Sequence, residues 1–538
     1  TAQFGELNIN KLEAYGTYNK TIKDHSFSVM AGYSYQKDKN QSMEATVTGA
    51  SSDKVPTLTA GPNKKDAKSD FTEDVTIGYF GRLSYDFQKK YLFSATFRED
   101  ASSRFATGNQ WGFFPGASVG WVMSDESFMQ NIKTIDNLKW RISYGQTGNN
   151  AIGLYDAYGK YSTNAKYDGV AGIVPSTMPN LGLTWEVSTQ LDAGFDLSMF
   201  NNRFMGTFDF YVRDTKDMVR PMTLPAVLGT KGGKENIADM RTVGWEVELT
   251  WKDRTKNVLG SPLDYSFTVG LSDYQAEITK FDNPNGSLNM YYKGYKFGEI
   301  WGYETDGFIQ DEFEADRMNY VQKFISSKWY PGDIRYKDLN GDGIIDNGNV
   351  TLDNPGDKKI IGNSTPRYRF NIQGSVGWHG FDIRAIFEGV AKRDMWTSSD
   401  IFWGFSRGIY NSCVTQYHID NTWTYEHPNA YYPRLTSSAN KRSKQVQSKY
   451  LQNAAYIRLK DITVSYNIPK KWLSKLKMEQ ARIYVSGLNL WEKTGLPPFM
   501  TPDIVDQMTG EDVGLMTENT GKEYAFMRSL SFGVNLTF

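Results

Sequence analysis

One cysteine, Cys413, stands in 538 residues, so no internal disulfide framework can hold this chain together. Histidine is nearly absent too: four residues in the whole chain leave little from which to build a zinc centre. Neither sign of charge is in excess, with 60 Lys+Arg against 61 Asp+Glu and a formal net charge of −1. That balance excludes a protein held to nucleic acid by a broad basic field. No run approaches the roughly 18 apolar residues that a spanning helix needs, and mean hydropathy is −0.53. A polytopic helical membrane protein is therefore excluded. A membrane β-barrel is not, because its lumen-facing residues dilute the apolar signal. The start, Thr1-Ala2-Gln3-Phe4, has no initiator Met, no basic n-region and no apolar h-region. With the strand pattern below, it reads as the interior of a longer chain.

Chemistry-bearing constellations are also missing. Ser, His and Cys show no nucleophile elbow and no Cys–His arrangement, and no phosphate-cradling glycine pattern follows a strand. Cys413 reads as a bystander in a long loop and His379 as a turn residue. No enzyme is expected.

What the chain does have is aromatic residues, 14% of the total, and a period of two. Leu530, Phe532, Val534, Leu536 and Phe538 alternate with Ser529, Ser531, Gly533, Asn535 and Thr537. Strand side chains point to opposite faces in turn, so this segment has one apolar and one small-polar face. Leu191, Ala193, Phe195, Leu197 and Met199 alternate with Asp192, Gly194, Asp196 and Ser198 in the same way. The pattern predicts about fifteen strands, near 12–19, 26–35, 74–87, 91–100, 114–123, 138–145, 188–199, 203–213, 242–252, 264–274, 365–378, 381–390, 455–468, 481–490 and 526–538. Many have the roughly 9–11 residues that a tilted strand needs to cross a bilayer.

Short links (20–25, 88–90, 124–137, 200–202, 253–263, 379–380, 469–480) alternate with long ones (36–73, 101–113, 146–187, 214–241, 275–364, 391–454, 491–525). Tight periplasmic turns and long extracellular loops give this asymmetry in a transmembrane antiparallel β-barrel. Length alone would suggest three or four soluble domains, and a soluble β-solenoid or a set of sandwiches is the alternative. Bacterial single-chain barrels have even strand counts, and fifteen is odd. Residues 1–538 therefore read as the carboxy-terminal part of a larger outer-membrane barrel.

Several phrases carry a family resemblance. They are Asn137-Leu138-Lys139-Trp140-Arg141-Ile142-Ser143-Tyr144-Gly145-Gln146-Thr147-Gly148-Asn149, Leu183-Thr184-Trp185-Glu186, Asp209-Phe210-Tyr211, and Gly332-Asp333-Ile334-Arg335-Tyr336-Lys337-Asp338-Leu339-Asn340-Gly341-Asp342-Gly343. Ile361-Gly362, Tyr456-Ile457-Arg458-Leu459-Lys460-Asp461, Tyr484-Val485-Ser486-Gly487-Leu488-Asn489-Leu490 and the terminal Phe538 follow in order. Together they resemble SusC/RagA-type TonB-dependent transporters of Bacteroidetes. The resemblance implies a plugged barrel of about 22 strands, with the plug and first strands outside this chain. It also implies import of oligosaccharides or peptides, a SusD-like surface lipoprotein over the outer loops, and energy from TonB-ExbB-ExbD through the missing amino-terminal part. The partners expected are therefore that lipoprotein, the TonB system, the ligand and outer-membrane lipid. An outer-membrane receptor or adhesin without active import is the alternative function.

Two groups of residues stand out as candidate sites. In the long loop 275–364, Asp338, Asn340, Asp342, the carbonyl of Ile344 and Asp346 follow the spacing of a calcium loop, with Gly343 for the turn. Asn349 stands where a bidentate acid is needed, and an insertion relative to the family would let Asp353 or Asp357 close the site. No helical pattern flanks the loop, and an Asx-rich turn without metal is the alternative. The second group is aromatic: Trp329, Tyr330, Trp396, Trp403, Trp423 and Tyr425, with Trp301, Tyr303, Tyr410, Tyr417, Tyr431 and Tyr432 nearby. Such rings suit sugar or peptide contacts; the alternative is that they pack the loops together.

Overall fold

The computed structural model describes residues 1–538 except 50, 51, 53, 55, 56, 62, 223–225, 231, 398, 405–413, 437–441, 474–477 and 503–526. Tyr410 and Cys413 lie outside the described residues.

Alternation becomes strand wherever it was expected. Ala2–Ile22, His25–Thr48, Asn63–Phe87, Tyr91–Ser102, Trp111–Val122, Ile135–Asn149, Glu186–Met199, Phe204–Pro221, Lys234–Val258, Ser261–Lys280, Arg367–Trp378, Phe381–Lys392, Tyr456–Asn467, Gln480–Thr494 and Ser529–Thr537 form one fifteen-stranded sheet. Each neighbours the preceding and the following member in sequence, with Ala2–Ile22 and Ser529–Thr537 at the two ends of the order. By contacts the chain divides into two compact units. One is Thr1–Ile132, Asn137–Phe195 and Tyr211–Arg241; the other is Lys133–Asp136, Asp196–Phe210 and Thr242–Phe538. No helix of the described residues is long and apolar enough to cross a membrane.

Register shows what period two accomplishes. In the first unit Phe27, Tyr85, Phe93, Val119 and Ile142 stand opposite one another across five antiparallel strands. One residue along, Ser28, Ser84, Ser94, Ser118 and Ser143 form a hydroxyl row on the opposite face. A second aromatic row, Phe87, Tyr91, Trp121 and Trp140, lies nearer the short turns, where interfacial girdles belong. The second unit repeats the arrangement. Leu263, Trp378, Phe381, Tyr466, Ile483 and Val534 make the apolar row, and Ser266, Ser375, Arg384, Thr463, Ser486 and Ser531 the polar one. The Ser266 and Ser375 hydroxyls are 2.7 Å apart.

Among the described residues, two-residue turns close three hairpins of the fifteen-stranded sheet: Lys23-Asp24, Leu259-Gly260 and His379-Gly380. Leu259-Gly260 and His379-Gly380 have positive φ at both positions (48° and 87°, 50° and 85°), as a primed turn between twisted strands requires. A Cβ on Gly380 would meet the Asn467 carbonyl at 3.0 Å. His379 is the turn residue the sequence suggested.

Several strands outrun their alternation. His25–Thr48 and Asn63–Phe87 continue through Lys37-Asp38-Lys39 and Glu73, where neither face is apolar. Lys37 meets Glu73 at 2.7 Å and Lys39 meets it at 3.4 Å. The backbone ladder persists where both faces are wet, so hydrophobic periodicity stops before the strand does.

Among the described residues, the long connections build cores of their own. In the first unit Phe105, Phe114, Ile152, Ala157, Leu183 and Trp185 build a small core, with the Trp185 indole N–H donating to the Gln110 carbonyl at 2.9 Å. A larger core in the second unit carries the candidate site.

Candidate functional site

The excursion between Lys280 and Arg367 is built on two short antiparallel pairs. Glu299–Tyr303 pairs with Lys358–Asn363, and Thr305–Phe308 with Ile334–Tyr336. Between them runs the helix Glu312–Val321, started by Asp311, whose carboxylate accepts from the Glu314 N–H at 2.8 Å. The sequence pattern does not announce this helix. Its buried face is only Ala315 and Met318, too few positions for a clear 3.6-residue period, and Phe313 and Tyr320 lie exposed. The helix ends well before the acidic loop and does not flank it.

That loop is ordered by its own side chains. The Asp338 carboxylate accepts from the N–H groups of Gly341 (2.6 Å) and Gly343 (2.8 Å). The Asn340 carbonyl oxygen accepts from Asp342 N–H (2.9 Å), and Asp342 from Ile344 N–H (2.7 Å). Asp357, fully buried, closes the segment by accepting from Leu339 N–H at 2.7 Å and Asp346 N–H at 2.9 Å. Burial raises the Asp357 carboxyl above the usual aspartate range, against the pull of those N–H groups. Asp346 accepts instead from Gly348 N–H at 2.7 Å. Thus oxygens that the spacing assigns to calcium are engaged by backbone donors. Among the described residues no three His, Cys, Asp or Glu side chains are grouped as metal holders. Asp338, Asn340 and Asp342 thus form Asx turns with the backbone that follows each of them.

Four of the six aromatic candidates belong to the interior. Trp329, Trp396, Trp403 and Trp423 are 2–5% exposed and share one core with Tyr303, Phe308, Ile334, Tyr336, Met395, Phe402, Tyr432 and Tyr450. Their faces are taken by one another: Trp403 lies 4.7 Å from Tyr450 and 5.8 Å from Trp396, ring centre to ring centre. As free contact surfaces these four indoles are a misreading. Large rings exclude the most water when buried, so loops this aromatic fold on themselves. Tyr330, 38% exposed, and Tyr425, 69% exposed, remain open to a ligand.

Burial sets the chemistry of the core's phenols. Tyr336 and Tyr450 are pushed well above the ordinary phenol range by desolvation, so both stay neutral donors. Tyr336 donates to the Arg442 carbonyl at 2.6 Å and Tyr450 to the Tyr431 carbonyl at 2.7 Å. Two buried glutamines complete the wiring. Gln322 donates to the Ile334 carbonyl and accepts from Tyr336 N–H, and Gln447 accepts from the Thr305 hydroxyl at 2.9 Å.

A charged node lies at the outer side of this core. The turn Tyr330-Pro331-Gly332-Asp333 places Gly332 at φ +82°, against the Trp423 ring, where a Cβ would approach to 2.3 Å. Asp333 is fully buried and accepts from Tyr330 N–H at 3.1 Å. Arg434 Nε reaches one of its carboxylate oxygens at 3.1 Å and Arg442 Nη1 the other at 3.2 Å. Both guanidiniums also lie over the Tyr330 ring, at 4.5 and 5.3 Å from its centre. Asp333 is visible in the sequence as part of a phrase; its partners, 101 and 109 residues away, carry no signal there.

Comparison with known proteins supplies the context for this geometry. Residues 3–490 match the family described as TonB dependent receptor-like, beta-barrel. The chain is 29% identical over 98% of its length to TonB-dependent receptor P3 of Formosa agariphila, covering 52% of that protein. It is 24% identical over 97% of its length to TonB-dependent receptor SusC of Bacteroides thetaiotaomicron, covering 49%. The chain thus spans about half the length of the curated relatives it matches. Among solved structures it resembles the RagAB peptide transporter, with a TM-score of 0.79 and 22% identity over all of this chain and 56% of that one.

Proposed function

This chain belongs to the TonB-dependent receptor-like β-barrel family, and on that premise we propose that it serves import of oligosaccharides or peptides across the outer membrane. The family places it in that membrane and among transporters and receptors rather than enzymes. The observation that carries the import reading is the pairing of a two-faced antiparallel sheet with loops folded into their own aromatic core. A polar inner face gives a hydrated passage, and ordered loops give a shaped surface at its mouth. A SusD-like surface lipoprotein covers that mouth, and TonB-ExbB-ExbD energises the passage through parts of the protein beyond this chain. The similar RagAB structure is that of a peptide transporter, which supports the peptide class of cargo. The oligosaccharide class rests on the SusC/RagA resemblance of the sequence phrases.

Uptake tests the proposal. Cells deleted for the gene should lose accumulation of labelled oligosaccharide or peptide pools, and a protonophore should reproduce the loss in complemented cells. Unchanged accumulation in the deletion strain would refute import.

Calcium in the acidic loop is likewise a proposal, supported by the spacing of Asp338, Asn340 and Asp342. Protection of 338–357 from protease on adding calcium, lost in Asp342→Ala, would sustain it. Cleavage indifferent to calcium and to chelator would leave the loop to its backbone bonds alone.

A further inference from the structure

We propose that Arg434 and Arg442, held against Tyr330 by the buried Asp333, bind a carboxylate of the ligand at the outer face of the loop core. Calling that ligand cargo rests on the import reading; the site itself does not.

Charge comes first. Two guanidiniums share one carboxylate, so the triad carries one positive charge more than its buried anion offsets. Donor capacity points the same way. A guanidinium has five N–H donors, and Asp333 takes one nitrogen of each, Arg434 Nε and Arg442 Nη1. Among the described residues no other acceptor engages either guanidinium. Their side chains are 29% and 22% exposed, so each arginine stays partly open to solvent.

The arrangement is also fixed in advance. Asp333 is locked by the Tyr330 N–H, and Arg434 N–H donates to the Gly332 carbonyl at 3.0 Å. The backbone bond fixes where the Arg434 side chain starts, and the carboxylate and the Tyr330 ring restrict its guanidinium from two sides. A preorganised guanidinium loses little entropy on binding, and its fork matches the two oxygens of a carboxylate. Tyr330 offers a partly exposed ring beside it for the carbon skeleton that bears the carboxylate. The same chemistry is presented by a uronic acid and by an acidic peptide.

The experiment uses the full-length protein in detergent, titrated with oligogalacturonate and its methyl ester, and with a short glutamate peptide, amidated at its carboxy-terminus, and its glutamine counterpart. At least one acid should bind, and its neutral counterpart should bind tenfold or more weakly. Arg434→Gln and Arg442→Gln should each weaken that acid by about tenfold or more, the usual scale for a charge-assisted hydrogen bond. Rising salt should weaken it further. Uronide binding alone identifies an acidic glycan as the source, and peptide binding alone an acidic peptide. Arg442→Lys guards against unfolding: it keeps the charge beside Asp333, loses the fork, and should still bind several-fold more weakly with the loop's protease pattern intact. Acids that bind no better than their neutral counterparts, or affinity unchanged in all three variants, would overturn the site. That outcome with uptake intact would leave import standing.

Discussion

At the residue scale, two positions decide whether the loop core keeps its shape. Gly332 must hold a left-handed backbone with no side chain, because Trp423 occupies the space a Cβ would take. Gly332→Ala should destabilise the loop by roughly 2–4 kcal/mol, the sum of left-handed strain and overpacking. Faster proteolysis at 330–345 would register it, and an unchanged cleavage pattern would count against the packing described. Asp357 is the second position. Its folded pKa lies above the ordinary aspartate value because it is buried, so folding favours the protonated form. Its contribution is fully present below about pH 4 and is lost as pH rises through the raised value. The difference in protease protection between the native loop and Asp357→Asn should therefore change across that window and level off above it. A difference independent of pH would show that burial does not govern this carboxyl. The two residues are not equally legible in the sequence. Spacing marks Asp357 as one of two acids able to close the loop, whereas the demand on Gly332 comes from Trp423, far along the chain, which spacing cannot reveal.

Strands are the element most legible in the sequence, because their constraint is local. Period two identifies Glu186–Met199 and Ser529–Thr537 without any knowledge of neighbours, and turn chemistry identifies His379-Gly380. Strand ends are not legible where Lys37-Asp38-Lys39 continues a ladder with no apolar face. The helix Glu312–Val321 escapes for a related reason, since it buries so little. The four core tryptophans look like ligand contacts in the sequence because composition gives no direction to a side chain in a loop. The faces of the strands make a quantitative prediction. Val119, on the apolar row, should tolerate arginine poorly, at a cost of about 2–4 kcal/mol near mid-membrane. Ser118, its neighbour on the hydroxyl row, should accept the same change with little loss. Folding titrations of the full-length variants into lipid vesicles would measure both, and equal costs would mean that the two faces are not distinguished by solvent.

At the scale of the whole molecule, the family assignment and the two-faced sheet support one another. If a surface lipoprotein rests on the folded loops, removing 281–366 or 393–454 should reduce its co-purification with the full-length protein. Capture at the original level would place the contact elsewhere. All of these readings require one face of the sheet to meet lipid and the other to meet water. Single cysteines introduced at Leu191, Asp192, Ala193, Asp196 and Leu197 of the full-length protein in outer membranes test that requirement most directly. Positions 192 and 196 should react with a water-soluble thiol reagent, and 191, 193 and 197 should report the hydrocarbon phase to a spin label. Lipid contact at 192 and 196, or no alternation at all, would contradict the account.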